Sequence, residues 1–356
     1  MISTRLSNFR SKLLSKNIDG ALIASDFNRN YLTGFTGDES YILITQDKAY
    51  FITDSRYTLQ AKNEVKGYQI LEYKHPITNI LEELIKENNI RTLGIEEEHI
   101  TLKTYEAYKN KFNTISLVYL EGIVDELRIV KDEYEIEQIA KAAAIADKAF
   151  AHILTFIKEG IKEVEVAIEL ERFMKMQGAS SLSFSTIVAS GERSALPHGV
   201  ASDKVIENGD FVTLDFGCIY NGYCSDMTRT IVVGKASDKQ REIYNLVLKA
   251  NEEALKNIKP GIKCLELDKV ARDIIIEGGY GECFGHGLGH GLGREIHEEP
   301  RVSPKGETIL EEGMVITDEP GIYIEGFGGV RIEDLIVVTK DGYRVLSSSP
   351  KSLIEI

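Results

Sequence analysis

Four acidic side chains and one histidine in the C-terminal part of the chain have the types and spacing of a metal-binding set. They are Asp215, Asp226, His290, Glu319 and Glu333. Carboxylate oxygens bridge and neutralise divalent cations, and an imidazole nitrogen completes a coordination sphere. If the five side chains converge, the sequence predicts a hydrolase that uses two metal ions.

A predicted β-hairpin brings the two aspartates together. Asn221-Gly222 is the strongest short-range signal for a two-residue hairpin turn. This turn places Gly217 opposite Asp226, and residues directly opposite each other share a face of the sheet. Asp215 lies two residues before Gly217, so both aspartates project from the same face. Their neighbours in sequence are apolar, and a buried carboxylate pair requires a compensating cation.

The second pair of carboxylates lies in a predicted copy of the first segment. Residues 208–215 align with residues 312–319, and in both a carboxylate follows a glycine by six residues. Further along, Asp226 corresponds to Glu333, and the tripeptide Gly-Ile-Lys occurs upstream in both copies. The C-terminal part is therefore predicted to contain an internal duplication, in which two halves place four carboxylates around a central cleft.

Histidines near these carboxylates strengthen the prediction. Four of the seven histidines are His198, His286, His290 and His297. The glycines around His286 and His290 allow the backbone to approach a ligand closely, and they do not match the dinucleotide-binding pattern GxGxxG. One histidine alone is more often structural, but four beside paired carboxylates indicate a catalytic site.

The elements that must position this set divide into two predicted domains, residues 1–122 and residues 123–356. Short apolar runs in the first domain predict strands at 21–25, 41–45, 50–53, 68–73, 92–96 and 115–120, and helices at 6–16, 78–88 and 102–111. Residues 121–132 are expected to bridge to the second domain. There Asp132 and Glu135 form a predicted capping box for a long helix that ends before Gly160.

Composition narrows the class of protein. The chain has 356 residues, 43% of them hydrophobic and 28% charged, which is typical of a globular protein with sizeable cores. A net charge of −14 argues against nucleic-acid or anionic-membrane partners. The four cysteines lack CxxC spacing, and the N-terminus lacks the apolar core of a signal peptide. Reduced thiols and a cytoplasmic location are expected.

With these motifs the chain resembles the Xaa-Pro peptidase family over its whole length. The C-terminal part resembles the pita-bread metallopeptidases, which include methionine aminopeptidase, aminopeptidase P and prolidase. The N-terminal domain is similar to the one shared by prolidase, aminopeptidase P and creatinase, and methionine aminopeptidases lack it. The resemblance implies a mixed α/β fold: a small creatinase-like domain and a pita-bread domain with a pseudo-twofold repeat. Creatinase is similar in fold but lacks the metal ligands. Because this chain has them, the resemblance argues against a creatinase.

The resemblance also implies roles for the metal-binding set. Asp215, Asp226, His290, Glu319 and Glu333 would hold two divalent cations, with Asp226 and Glu333 suited to bridging. Manganese is expected, with cobalt as the second choice and zinc or iron after it, because oxygen-rich sites select harder cations. Such a pair lowers the pKa of water, and Glu319 is expected to act as the general base.

Further residues are assigned by the same resemblance. His198 and His297 are similar to histidines that contact the substrate amide and carbonyl, and His286 resembles a histidine of the proline-binding pocket. An Xaa-Pro nitrogen has no N–H of its own, so His198 is expected to protonate it. Independently of the resemblance, Arg331 lies two residues before Glu333 and is expected either to hold a ligand carboxylate or to be a surface strand arginine. Arg301 is expected either to bind a substrate carboxylate or to be a solvated loop arginine.

The sequence therefore predicts a cytoplasmic, homodimeric peptidase that acts on peptides with proline at the second position. Asp54 and Arg56 resemble an N-domain motif and are expected to form a structural ion pair or a dimer contact. Two alternatives are a non-catalytic binding protein on the pita-bread fold and another metal-dependent amidohydrolase or C–N lyase. The sequence leaves open whether the enzyme is a dipeptidase or an aminopeptidase.

Overall fold

The computed structural model of the protein describes residues 2–356 and separates them into two compact units. The first unit ends at Arg128 and the second extends from Ile129 to Ile356. Among residues 2–356, no helix combines the length and the apolar character that crossing a lipid bilayer requires.

The N-terminal unit is a six-stranded sheet in the order β4-β3-β2-β1-β5-β6. Its strands are β1 Gly20–Ile23, β2 Ser40–Thr45, β3 Ala49–Thr53, β4 Gln69–Glu72, β5 Thr92–Ile95 and β6 Ser116–Tyr119. Its helices are α1 Ile2–Ser15, α2 Asp26–Thr33, α3 Thr58–Glu64, α4 Thr78–Glu87, α5 Leu102–Lys111 and α6 Ile123–Ile129. All six predicted strands and all three predicted helices are confirmed.

Three short helices of this unit escaped prediction: α2, α3 and α6. With only seven or eight residues each, they show too little periodicity to be recognised in the sequence. The two compact units divide after Arg128, near the end of α6, whereas the sequence pattern predicts a domain division after residue 122. Ile123 and Val124 belong to the same core as Phe9 and Ile23. This packing assigns the segment to the first unit, and it cannot be recognised from the sequence.

The C-terminal unit carries four long helices and a set of antiparallel strands. The helices are α7 Glu133–Ile153, α8 Glu163–Met176, α9 Asp238–Asn257 and α10 Cys264–Glu277. The strands are β7 Ser181–Leu182, β8 Ile187–Ser190, β9 Phe211–Phe216, β10 Cys218–Tyr220, β11 Tyr223–Cys224, β12 Met227–Val232, β13 Gly289–Gly291, β14 Glu298–Val302, β15 Val315–Asp318, β16 Gly321–Ile324, β17 Gly328–Arg331, β18 Asp334–Thr339 and β19 Gly342–Val345. Short 3-10 turns occupy Gly191–Ala195 and Gly281–Cys283. The predicted capping box of Asp132 and Glu135 is present at the start of α7.

The predicted duplication is visible in this unit. Helices α7 and α8 precede the antiparallel pair β9–β12, and helices α9 and α10 precede the antiparallel pair β15–β18. The glycine before the second helix of each half has nearly the same backbone angle, with φ of 90° at Gly160 and 92° at Gly261. Only a residue without a Cβ adopts this region at little cost. The two halves therefore share their local backbone as well as their order of elements.

The predicted hairpin register is also confirmed. Tyr220 pairs with Tyr223, and Met227 pairs with Phe216 on the far side of a break between two sheets. Both pairs follow one register, and this register places Gly217 opposite Asp226, as predicted. The backbone approaches closely here, because a Cβ on Gly217 would lie 1.9 Å from the Ser225 carbonyl oxygen.

Candidate metal centre

Strand ends bring the predicted metal-binding side chains to one place. Asp215 lies in β9, Asp226 and Glu333 immediately precede β12 and β18, and Glu319 immediately follows β15. Oxygen atoms of Asp215, Asp226 and Glu333 all lie within 4.8 Å of one another. His290, in β13, places Nε2 3.6 Å from Asp226 Oδ2 and 3.4 Å from Glu319 Oε1. All five residues therefore converge.

Two carboxylate oxygens in this cluster are buried and make no hydrogen bond within residues 2–356. They are Asp215 Oδ1 and Glu333 Oε1. A buried anionic oxygen without a donor is costly, so each requires a partner that the protein does not supply. A divalent cation meets this need, and the set of four carboxylates and one imidazole has the chemistry to hold two.

The other oxygens of the same carboxylates are held by neighbouring side chains. Arg331 Nη2 donates to Asp215 Oδ2 at 2.6 Å, and Thr228 Oγ1 donates to Glu333 Oε2 at 2.7 Å. Thr317 Oγ1 donates to Glu319 Oε1 at 3.1 Å. These bonds fix the orientation of each carboxylate around the shared centre, as supporting residues do in metal sites.

Burial and like charges dominate the electrostatics of the carboxylate cluster. Burial, followed by the charge of nearby carboxylates, raises the pKa of both Asp226 and Glu333 well above the usual range. Burial also raises the pKa of Glu319 to about 7. A bound cation would lower these pKa values again, because it stabilises the ionised carboxylates. The cluster therefore favours binding of a positive charge.

The ring of His290 is oriented to offer Nε2 to such a cation. Its Nδ1 lies 3.0 Å from the Gly291 carbonyl oxygen, an acceptor, so Nδ1 carries the proton and Nε2 the lone pair. Burial lowers the pKa of His290 to about 3, which keeps the imidazole neutral, as a ligand must be.

A cavity of about 820 Å³ opens beside this cluster. The ten residues predicted for the catalytic site all line it, namely His198, Asp215, Asp226, His286, His290, His297, Arg301, Glu319, Arg331 and Glu333. Apolar side chains, including Phe184, Ile187 and Ile296, complete the wall. Apolar walls with a few convergent polar groups are typical of binding sites for small molecules.

His297 and Arg301 reach this cavity from the strand next to His290. The His297 ring lies 4.5 Å from the His290 ring in an edge-to-face arrangement. Arg301 is directly opposite His290 in the β13–β14 ladder, and opposite residues project from the same face. Arg301 is half exposed, with a 3.9 Å approach to Glu299. Its guanidinium therefore lies on the metal side of the sheet, and the cavity wall includes it.

A buried ion pair fixes the segment that carries His297. The following residue, Glu298, accepts hydrogen bonds from the backbone N–H groups of Arg294 and Glu295. It also accepts from Lys131 Nζ at 3.0 Å, and both side chains are nearly inaccessible to solvent. Lys131 lies 167 residues away in the chain. His297 is therefore positioned by a contact that the local sequence does not reveal.

His286 lines the cavity as expected, but both of its ring nitrogens are bound within the protein. Nδ1 lies 2.7 Å from the Gly287 carbonyl oxygen, so Nε2 accepts from the Tyr323 hydroxyl at 2.9 Å. Arg331 Nη1 donates to the same Tyr323 oxygen at 2.7 Å. A hydrogen-bonded chain thus links His286 through Tyr323 and Arg331 to Asp215.

Tyr323, Thr228 and Thr317 are site residues that the sequence reasoning missed. The two threonines had a usable signal, since Thr228 is two residues after Asp226 and Thr317 two before Glu319. Residues two apart on a strand share a face, and the same rule led to Arg331. Tyr323 lies in the separate hairpin β16–β17, and its position depends on how that hairpin folds over the site.

His198 lies on an exposed turn at the edge of the cavity, after the 3-10 turn Gly191–Ala195. In the other unit, Asp54 and Arg56 form the predicted ion pair, with Arg56 Nη2 2.6 Å from Asp54 Oδ2. The Arg56 side chain of this pair is exposed to solvent, and that of Asp54 is largely buried.

Comparison with known proteins gives matches along the whole chain. Residues 137–340 match the model of "Metallopeptidase family M24", and residues 5–130 match that of the "Creatinase/Prolidase N-terminal domain". The chain is 47% identical to the Xaa-Pro dipeptidase of Pyrococcus horikoshii over 96% of this chain and 97% of that protein.

Solved structures agree in fold. The Xaa-Pro dipeptidase from Bacillus anthracis is 49% identical and covers 100% of both chains, with a TM-score of 0.98. The X-Pro aminopeptidase from Thermotoga maritima is 42% identical and covers 96% of this chain and 98% of that chain, with a TM-score of 0.91. The predicted fold class, a creatinase-like α/β domain followed by a pita-bread domain, is confirmed.

Proposed function

The chain belongs to metallopeptidase family M24, and we propose that it is an exopeptidase that hydrolyses the Xaa-Pro bond of short peptides. The observation that carries this proposal is the convergence of four carboxylates and His290 on the wall of one cavity, with two buried oxygens that have no donor within residues 2–356. The named activities of the similar dipeptidase and aminopeptidase support the same bond as the target.

We propose that Asp215, Asp226, His290, Glu319 and Glu333 hold two divalent cations. The oxygen-rich donor set favours manganese, with cobalt as the second choice. When bound, such a pair supplies Lewis acidity and a water molecule of lowered pKa. Oxygen atoms of Asp226 and Glu333 lie within 4.8 Å of each other and of an Asp215 oxygen, and we assign the bridging role to Asp226 and Glu333.

The side chains around the cations would move the protons. Glu319, whose Oε1 lies 3.4 Å from His290 Nε2 in the cluster, accepts the proton of the attacking water as general base. The water oxygen forms a bond to the scissile carbonyl carbon, and the bond from that carbon to the proline nitrogen breaks. His198, exposed at the cavity edge, donates the proton that the leaving nitrogen lacks, and the proton taken by Glu319 returns to His198 through solvent. His297 donates to the carbonyl oxygen as negative charge develops.

Two further residues would position the reactants. Arg331 holds Asp215 by a charge-assisted hydrogen bond of 2.6 Å. His286 contributes its ring as a wall for proline, because both ring nitrogens are already bound to Tyr323 and Gly287. His286 would therefore recognise proline by the shape of the pocket wall and would not donate or accept a hydrogen bond with the substrate.

Arg301 favours a dipeptide as the substrate. It shares a face with His290 and lines the cavity, and within residues 2–356 its guanidinium is engaged only by a 3.9 Å approach to Glu299. Its guanidinium is free to bind the carboxylate that a dipeptide carries one residue after the scissile bond. The second candidate function is an aminopeptidase that admits longer peptides, and the similarity to an X-Pro aminopeptidase supports it. In that case Arg301 has no substrate carboxylate to bind.

The test is hydrolysis of Ala-Pro and Ala-Pro-Ala by manganese-loaded enzyme, with an Arg301→Ala variant beside the wild type. A dipeptidase cleaves Ala-Pro far faster, and the variant raises its KM about 10-fold or more, as loss of a charge-assisted hydrogen bond does. Preferential cleavage of Ala-Pro-Ala would instead assign aminopeptidase activity. Cleavage of neither peptide would refute the Xaa-Pro proposal.

We also propose a homodimer in the cytoplasm. Among the described residues, all four cysteines are free thiols and three are buried, which fits a reducing compartment. Sedimentation measurements would test the dimer.

A further inference from the structure

A second cavity, of about 380 Å³, lies in the N-terminal unit at the carboxyl ends of β1 and β5. These strands are parallel neighbours, but the chain leaves β1 toward β2 and leaves β5 toward β6, on the opposite side. Helix α2 packs on one face of the sheet and helix α5 on the other. A crevice at such a reversal of strand order is where open α/β sheets bind ligands.

The lining of this cavity is strongly acidic. Its charged residues are Asp26, Arg29, Asp38, Glu39 and Glu96. Four carboxylates against one guanidinium give a formal charge of −3, with His99 taken as neutral. A negatively charged concave surface attracts cations and repels anions.

The one arginine is already committed to the fold. Arg29 Nη1 donates to the Ser40 carbonyl at 3.0 Å, and Nη2 donates to the Gly37 carbonyl at 2.8 Å. Arg29 Nη2 also lies 2.7 Å from Asp26 Oδ1. The arginine therefore serves to close the loop before β2. Glu39 lies 3.8 Å from Arg56 Nη2 in an exposed pair, and Asp38 and Glu96 form no salt bridge within residues 2–356.

Glu96 is held rigidly at the centre of the crevice. It is 8% exposed and accepts from the backbone N–H groups of Ala24 at 2.6 Å and Ser25 at 2.8 Å. It also accepts from Asn28 Nδ2 at 2.8 Å. A carboxylate has four acceptor sites, so one more donor can still be received.

An independent sign of a ligand is the hydroxyl of Tyr108. This side chain is 5% exposed and lines the cavity, yet its hydroxyl makes no hydrogen bond to any of residues 2–356. The oxygen is not among the unpartnered atoms sealed from solvent, so it opens onto the cavity. A largely buried side chain thus directs an unpaired hydroxyl into the cavity, where a bound molecule can take the place of water as its hydrogen-bond partner.

We propose that this crevice binds a small organic ammonium ion, of the size of an amino acid or a short amine. The carboxylates of Glu39 and Glu96 attract the ammonium group, and the rings of Tyr41 and Tyr108 line its path with negative π-faces. A volume of about 380 Å³ admits a small molecule and excludes a folded partner. The site lies wholly within the N-terminal unit, so it does not depend on the proposed peptidase activity.

The test is calorimetric titration of manganese-loaded, full-length enzyme with propylammonium chloride, with 1-propanol as the neutral isostere. Loading with manganese occupies the acidic catalytic cluster, which would otherwise attract the same probe. Tyr108→Phe removes only the unpartnered hydroxyl, and Glu39→Gln removes one exposed charge. Asp47→Asn, an exposed carboxylate outside the cavity in the same unit, is the matched control.

The proposal expects propylammonium to bind and propanol not to bind. Tyr108→Phe and Glu39→Gln should each raise the Kd at least fivefold, whereas Asp47→Asn should not change it. Tyr108→Phe should melt at the wild-type temperature, because the fold loses no hydrogen bond. Absence of binding, equal binding of propanol, or binding unaffected by both cavity variants would overturn the proposal. L-Alanine binding more tightly than propylammonium would identify amino acids as the ligand class, and weaker binding would identify simple amines.

Discussion

Replacing Arg331 with methionine tests how one buried arginine stabilises a cluster of carboxylates. Arg331 is 3% exposed, and Nη2 donates to Asp215 Oδ2 at 2.6 Å. Its other N–H groups donate to Tyr323 and Thr228. Methionine keeps an unbranched apolar side chain and removes the charge and all three hydrogen bonds.

The expected cost follows from burial. Removing one member of a buried ion pair costs about 3–5 kcal/mol, because the other charge is left uncompensated. In a domain of this size, 1 kcal/mol shifts the melting temperature by roughly 2–4 °C. The metal-free variant should therefore melt about 6–20 °C below the metal-free wild type. Bound manganese compensates the charge of Asp215, so loading should recover much of this loss.

The assay is calorimetric unfolding at pH 8, with a chelator and then with manganese. Arg56→Met is the matched control, because Arg56 also lies 2.6 Å from an aspartate oxygen but its side chain is 60% exposed. An exposed pair contributes little, so this control should melt near the wild type. If metal-free Arg331→Met melted within 2 °C of the metal-free wild type, the assigned role of the buried pair would be wrong.

Two further predictions concern the histidines. His198→Ala should lower the turnover of Ala-Pro by about 10²–10⁴-fold, the contribution of general acid catalysis, while the manganese content measured by mass spectrometry stays unchanged; an unaffected turnover would remove His198 from the mechanism. Burial lowers the pKa of His286 to about 4, below its unfolded value of about 6.5. Because the unfolded chain binds the proton first, the stability from neutral His286 is present above pH 6.5 and is lost as the pH falls toward 4. The loss between pH 7 and pH 5 amounts to about 2 kcal/mol. In urea unfolding, His286→Gln should lack this part of the acid sensitivity, and identical pH profiles would contradict the assignment.

The convergence of the carboxylates could be predicted because it depends on local rules. The turn at Asn221-Gly222 sets the register that places Asp215 beside Asp226. The internal repeat then transfers the same geometry to Glu319 and Glu333. Both signals occur within short stretches of sequence, where strand periodicity is reliable.

Contacts between distant segments could not be predicted in the same way. Lys131 and Glu298 are 167 residues apart, and no periodicity connects them. The hydroxyl of Tyr323 joins Arg331 to His286 only because the hairpin β16–β17 folds over the cavity. His286 was expected only as a residue of the proline-binding pocket, and the contact of its Nε2 with Tyr323 could not be seen in the sequence.

The central proposal is that Asp215, Asp226, His290, Glu319 and Glu333 bind two cations that activate Xaa-Pro hydrolysis. The most direct test is to strip the enzyme of metal and follow Ala-Pro hydrolysis as manganese is returned, with Glu333→Gln beside the wild type. The wild type should regain activity until about two manganese ions are bound per chain, the number that a bridging carboxylate site holds. Glu333→Gln removes the charge of a buried carboxylate whose Oε1 has no hydrogen-bond donor within residues 2–356. This variant should bind less manganese and stay inactive. Full activity in the stripped enzyme, or in the variant, would contradict a two-metal mechanism.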